Sequence, residues 1–145
     1  MPRYVIRAAR ALTPLQEIAD AAVVIEDGKI AAIGRRDAIE IPKAAKEYDA
    51  RQYTLVPGFV DIHIHGAGAR DVMEASAEAL GTVTATVARH GTTTLIATTV
   101  SAAVDETCKS LEGIARYIES DANRKIPQAI RAQIHGIHLE GPFIS

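Results

Sequence analysis

Two histidines two residues apart, His63 and His65, and a glutamate at position 140 are the side chains of this sequence best suited to chemistry. The pair lies in Gly58-Phe-Val-Asp-Ile-His-Ile-His-Gly66, the glutamate in Gln133-Ile-His-Gly-Ile-His-Leu-Glu-Gly-Pro142. Alternate side chains share a face of an extended strand, so Asp61, His63 and His65 fall on one side and Val60, Ile62 and Ile64 on the other. An acid and two imidazoles on a buried face cost free energy unless they are paired, hydrogen-bonded or bound to a metal. Neutral imidazole is a good ligand for zinc, iron and related ions. In the second segment His138 and Glu140 share a face, and Glu140 is the last residue before Gly141-Pro142. A carboxylate and two imidazoles from separate strand ends suit a hydrolytic metal. A metal held there would lower the pKa of bound water toward neutrality and supply a nucleophile for a carbonyl.

The remaining candidates rank lower. His138 stays open between support of a ligand, contact with substrate and core packing. Asp61, deeper in its strand, is expected to orient its neighbours rather than to ligate. His90 precedes Gly91 at a helix end and reads as structural. His135 falls on the opposite face from Glu140 and is expected to pack against a helix or its loop. Cys108 sits mid-helix among apolar residues and is expected in the core. Gly66-Ala-Gly68 reads as a flexible loop, too short for a dinucleotide-binding fingerprint.

The elements that must position these residues change rhythm at Pro57. Before it the pattern is β-structure: a strand over 4–12, then Ala22 to Glu26, Asp27-Gly28, and Lys29 to Ile33. An Asp-Gly pair between two apolar runs is a strong hairpin signal, because both turn positions need positive φ. Residues 42–47 read as a connection and 52–56 as a further strand. After Pro57 strands alternate with helices: a strand over 59–65, a helix over 75–90 with Leu80, Val83 and Val87 on one face, and a strand over 92–100. A helix follows, with Ser101 as N-cap and a stripe of Val104, Cys108, Leu111, Ile114 or Ala115, and Ile118; a strand over 132–140 closes the series. Such alternation predicts parallel βαβ units, whose active sites lie at the C-terminal strand ends.

Composition limits the function classes. Of 145 residues 48% are apolar and 23% charged, enough to form a core, and the net charge of −2 lacks the basic footprint of a nucleic-acid binder. A single cysteine excludes an intrachain disulfide framework and fits a reducing compartment. No apolar run reaches the ~18 residues of a spanning helix, and no signal peptide is read, so a cytoplasmic protein is expected.

Leu55-Val-Pro-Gly-Phe-Val-Asp-Ile-His-Ile-His-Gly66 resembles the opening signature of the amidohydrolase superfamily. Gly136-Ile-His-Leu-Glu-Gly-Pro-Phe-Ile144 resembles the more specific third-strand motif of its N-acetylglucosamine-6-phosphate deacetylase family; Gly91-Thr-Thr-Thr and the hairpin ending in Gly28-Lys-Ile are similar too. The resemblance runs along essentially the whole chain but covers only the front third to half of a family member. It implies an α/β fold: an incomplete (β/α)8 TIM barrel, about its first three βα units, over 57–145, preceded over 1–56 by part of a small β-sandwich. It implies that Glu140 is a metal ligand and that His63 and His65 are additional ligands in members holding two metals. The cofactor implied is divalent, zinc or iron, as one or two ions. Two later histidines and the general acid/base, an aspartate, would lie beyond residue 145, so no catalytic residue is expected within the chain. The activity implied is hydrolysis of the acetamide of N-acetylglucosamine 6-phosphate to glucosamine 6-phosphate and acetate. The implied partners are a small phosphorylated amino sugar and further copies of the full-length chain, with neither nucleic acid nor membrane. Two alternatives stand beside this: a dihydroorotase-like or dipeptidase-like amidohydrolase, and a non-catalytic truncated chain. Residues 1–145 alone are expected to self-associate and to lack turnover.

Overall fold

Asp27 and Gly28 turn the chain between two strands with φ of 54° and 75°, the doubly positive geometry that a two-residue hairpin requires. They belong to the first of two units into which the chain divides, Met1–Pro57 and Gly58–Ser145. The computed structural model describes residues 3–120, 130–141 and 143.

The first unit holds β1 (Arg3–Leu12), β2 (Glu17–Glu26), β3 (Lys29–Arg35) and β4 (Lys46–Leu55) in one sheet of order β3-β2-β1-β4. β1 pairs antiparallel with β2 and parallel with β4. β2 starts five residues before the apolar run at Ala22 because its early part pairs with the end of β1, Ile18 opposite Ala11 and Glu17 opposite Leu12. β4 likewise begins inside the segment read as a connection. Val5, Ala22 and Val24 form one small apolar cluster and Ala11, Ile18 and Ala21 another. The described residues of this unit make a single sheet.

In the second unit β5 (Phe59–Ile64), β8 (Thr92–Thr98) and β9 (Gln133–His138) form a parallel sheet of order β5-β8-β9. Helices α1 (Ala77–Ala88) and α2 (Val104–Glu119) lie between successive strands in the chain, the βαβ pattern that the alternation predicts. Between β5 and α1 come a two-stranded ribbon, β6 (Gly66–Ala67) and β7 (Arg70–Asp71), and a 3-10 turn, Val72–Glu74. The segment after His65, read as a loop, holds this ribbon and turn. The Val72 N–H donates to the His65 carbonyl at 2.7 Å, and Asp71 and Glu74 cap the turn reciprocally.

Leu80, Val83 and Val87 of α1 are buried as their spacing predicts, joining Leu95, Ala97, Ile114 and Ile134 in the unit's core. Ser76 caps α1, accepting from the Ala79 N–H.

α2 differs from expectation at both its start and its face. Its N-cap is Ala103, without a side-chain bond, and not Ser101. The buried residues are Thr107, Ser110, Gly113, Ile114 and Tyr117, whereas Val104 and Cys108 are exposed. The cause is the 3-10 turn against which α2 docks. Ser110 Oγ donates to the Met73 carbonyl at 2.9 Å, and a Cβ on Gly113 would stand 2.6 Å from the Ala75 carbonyl oxygen. Only a small-residue face approaches that closely.

Candidate metal centre

Both ligand-bearing strands depart from simple alternation. The β5–β8 register shifts between Phe59 and Val60 and again between Asp61 and Ile64; Ile64 packs on the core, while Val60 and Ile62 are exposed. Asp61 Oδ1 accepts from the His63 N–H at 3.1 Å, holding the backbone where the register changes. In β9 the shift leaves His135 between Ile134, opposite Leu95, and Gly136, opposite Ile96. His135 is exposed there, where a packed residue was expected. β9 ends at His138, so Glu140 lies just past the strand.

The three candidate ligands nevertheless meet. His63 Nε2 is 3.1 Å from His65 Nε2, and Glu140 Oε2 is 3.0 Å from the first and 3.4 Å from the second. Donors bound tetrahedrally at zinc-like distances of ~2.0–2.2 Å lie roughly 3.3–3.5 Å apart. The triangle is therefore close to the size that one ion spans. Among the described residues these three are the only histidine, cysteine or acidic side chains grouped tightly enough to hold a metal.

Hydrogen bonding supports the fit. Glu140 Oε2 is buried and receives no hydrogen bond, despite the two ring nitrogens beside it. A buried carboxylate oxygen without a donor is costly unless a cation meets it. His65 Nδ1 lies 3.3 Å from the Thr98 carbonyl oxygen. That oxygen only accepts, so in the neutral ring the contact favours the proton on Nδ1, which leaves the Nε2 lone pair for a metal. A carbonyl behind the ligating imidazole is the usual arrangement around protein-bound metals. The chemistry of the set, two imidazoles and a carboxylate, suits zinc or iron.

The site is more open than a doubly buried strand would be. The side chains of His63, His65 and Glu140 are 46%, 38% and 34% exposed. Convergence, rather than the cost of burial, marks these residues as a site. His138 joins the group from β9, its ring 5.0 Å from that of His63 at 76°. His90 is exposed beyond the end of α1, away from these contacts. Pro142 and Ile144 of the second motif lie outside the described residues.

Sequence reasoning passed over Thr98 and Thr99. Both are fully buried at the end of β8 and bond to the segments carrying His65 and Glu140. A run of threonines in a strand reads as β-propensity alone, and nothing in the spacing marks these two.

The amidohydrolase family model matches residues 54–145. The N-acetylglucosamine-6-phosphate deacetylase of Bacillus subtilis strain 168 is 33% identical over 137 residues, 92% of this chain and 33% of that protein. The N-acetylgalactosamine-6-phosphate deacetylase of Escherichia coli O157:H7 is 32% identical over 98% of this chain and 34% of its own length. Among solved structures, a variant N-acetyl-D-glucosamine-6-phosphate deacetylase from Mycobacterium smegmatis, in complex with N-acetyl-D-glucosamine-6-phosphate, superposes with a TM-score of 0.77 at 29% identity. That match covers 100% of this chain and 34% of the other. The chain spans about a third of the length of the curated relatives it matches.

Proposed function

The chain belongs to the amidohydrolase family, and from that premise we propose that it supplies part of a metal-dependent deacetylase site acting on N-acetylglucosamine 6-phosphate. The products are glucosamine 6-phosphate and acetate. The observation that carries the reading is the convergence of His63 Nε2, His65 Nε2 and a donor-free Glu140 Oε2 at the ends of parallel strands.

In this reading β5, β8 and β9 are the first three strands of a (β/α)8 barrel, a fold of ~250 residues with its site at the C-terminal strand ends. Residues 1–56 form part of an accompanying small β-sandwich, and 57–145 the front of the barrel. Glu140, His63 and His65 hold one or two divalent ions, zinc or iron. A bound ion supplies Lewis acidity toward the acetamide carbonyl and lowers the pKa of water. His65 presents Nε2 because its Nδ1–H is engaged by Thr98. Asp61 holds the His63 backbone, and His138 packs its ring against His63 at the wall of the site. The general acid/base, an aspartate, and two further histidine ligands are assigned outside residues 1–145. The working enzyme is cytoplasmic and homo-oligomeric; no helix among the described residues is long and apolar enough to cross a membrane.

The test is Glu140→Ala in the intact protein. The expected result is joint loss of stoichiometric metal, read by elemental analysis, and of acetate release. Unchanged metal content with unchanged turnover would remove the assignment. A second substrate, the galactosamine epimer, is favoured by the E. coli relative, which matches as much of the chain. Comparing kcat/KM on the two sugar phosphates decides between them.

A further inference from the structure

The ligands sit on, or just past the ends of, two strands that do not touch each other. β5 and β9 lie on opposite sides of β8, so with strands ~4.8 Å apart they stand roughly 10 Å from one another. His65 and Glu140 are brought within 3.4 Å only by reaching over the end of the strand between them. Two adjacent, fully buried residues at that end hold both sides.

Toward β5, Thr98 Oγ1 accepts from the Ile64 N–H at 3.1 Å, and the Thr98 carbonyl meets His65 Nδ1 at 3.3 Å. The same hydroxyl donates to the Ile96 carbonyl at 3.3 Å, which fixes its rotamer. Toward β9, Thr99 Oγ1 accepts from the Glu140 N–H at 3.1 Å, and the Thr99 N–H donates to the His138 carbonyl at 3.0 Å. Glu140 lies beyond the last paired residue of β9, so the Thr99 hydroxyl holds its backbone where the ladder has ended.

We propose that Thr98 and Thr99 are the positioning residues of the metal centre, Thr98 fixing the tautomer and place of His65 and Thr99 the place of Glu140. This rests on the metal reading above. Thr99 acts through a hydroxyl, so the substitution that separates positioning from packing is Thr99→Val, nearly isosteric but unable to accept the Glu140 N–H. Thr99→Ser keeps the acceptor and loses the methyl group.

In the intact protein, zinc affinity by chelator competition is expected to fall about 10- to 100-fold in Thr99→Val, the range seen when partners of ligands are removed. It stays within about threefold of the parent in Thr99→Ser. The visible spectrum of the cobalt-loaded Val variant changes shape, while that of the Ser variant does not. Equal affinity in the Val variant, or an equal fall in the Ser variant, overturns the role of Thr99. If Thr99→Val does not fold, the Ser variant still decides: parent-like affinity and spectrum support the hydroxyl's role, and loss of either overturns it. For Thr98, nitrogen-15 NMR of the unsubstituted zinc-loaded protein is expected to show the His65 proton on Nδ1; a proton on Nε2 overturns that half. Glu140→Ala separates the two levels. If it leaves zinc affinity unchanged, the metal reading falls and this inference with it. If it abolishes affinity while Thr99→Val does not, only the positioning role fails.

Discussion

A carboxylate acts according to what surrounds it, and two aspartates of this chain show the range. Asp61 accepts from the His63 N–H, so its work is mechanical. Asp61→Ala is expected to cost about 1.5–3 kcal/mol, as for other hydrogen bonds to a charged acceptor, and to weaken zinc binding. Asp61→Asn keeps an acceptor oxygen and recovers most of the binding. Chemical denaturation and chelator competition check both. Asp49, on the surface of β4, illustrates electrostatics instead. The Arg51 guanidinium grips its carboxyl through two hydrogen bonds, of 2.9 Å and 2.6 Å, and holds it well below the usual carboxylate range. A carboxyl whose pKa is depressed by folding stabilises above its unfolded pKa and loses that contribution as pH falls through the folded value. Both groups are solvent-exposed, so the effect on overall stability is small. Arg51→Ala is expected to return the Asp49 titration, followed by carbon-13 NMR, upward toward ordinary carboxylate values.

At the scale of elements, the turns carry the site. Gly141 follows Glu140 with φ of 84°, and a Cβ there would stand 2.4 Å from Ser101 Oγ and 2.9 Å from its Cα. Gly28 has a similar φ of 75° but open space around it. The two glycines therefore predict different penalties for one substitution. Gly28→Ala meets only the left-handed backbone cost of about 1–2 kcal/mol. Gly141→Ala adds a collision with the segment after β8, so it is expected to cost more and to displace Glu140, lowering zinc affinity where Gly28→Ala leaves it unchanged. Denaturation midpoints with zinc titrations measure both. The same comparison shows what was legible in the sequence. The Asp27-Gly28 turn could be read because its requirement is local, and the α1 face because Leu80, Val83 and Val87 repeat at helical spacing. His63, His65 and Glu140 could be singled out by residue type. The register shifts in β5 and β9 could not, because alternation assumes an unbroken ladder. The face of α2 was misread because Val104 and Cys108 are more apolar than Thr107, Ser110 and Gly113, which are buried in their place. What selects Ser110 and Gly113 is the close approach of the 3-10 turn, a partner more than thirty residues away. Thr98 and Thr99 were invisible for the same reason, since their meaning lies in the strands on either side.

At the scale of the molecule, the parallel sheet is left partly uncovered. Parallel sheets are stable when both faces are covered. Here α1, α2 and the core residues Leu95, Ala97 and Ile134 account for one face. Along β5, Phe59, Val60 and Ile62 remain 62%, 60% and 72% exposed, and among the described residues no strand pairs with the outer edge of β5 or of β9. An exposed apolar edge strand is a template for pairing with another chain. Residues 1–145 in isolation are therefore expected to self-associate with rising concentration, by sedimentation velocity. Val60→Thr with Ile62→Thr lowers the apolar exposure of β5 while keeping β-branched side chains that favour a strand. That double variant is expected to shift the distribution toward monomer without loss of zinc binding, since neither residue is among the three ligands. A monodisperse parent chain at all concentrations would show that the open edge is tolerated. A variant that associates as strongly as its parent would place the contact elsewhere. Either result bears on the barrel reading, because the same edge that drives association in isolation is the one a neighbouring barrel strand would cover.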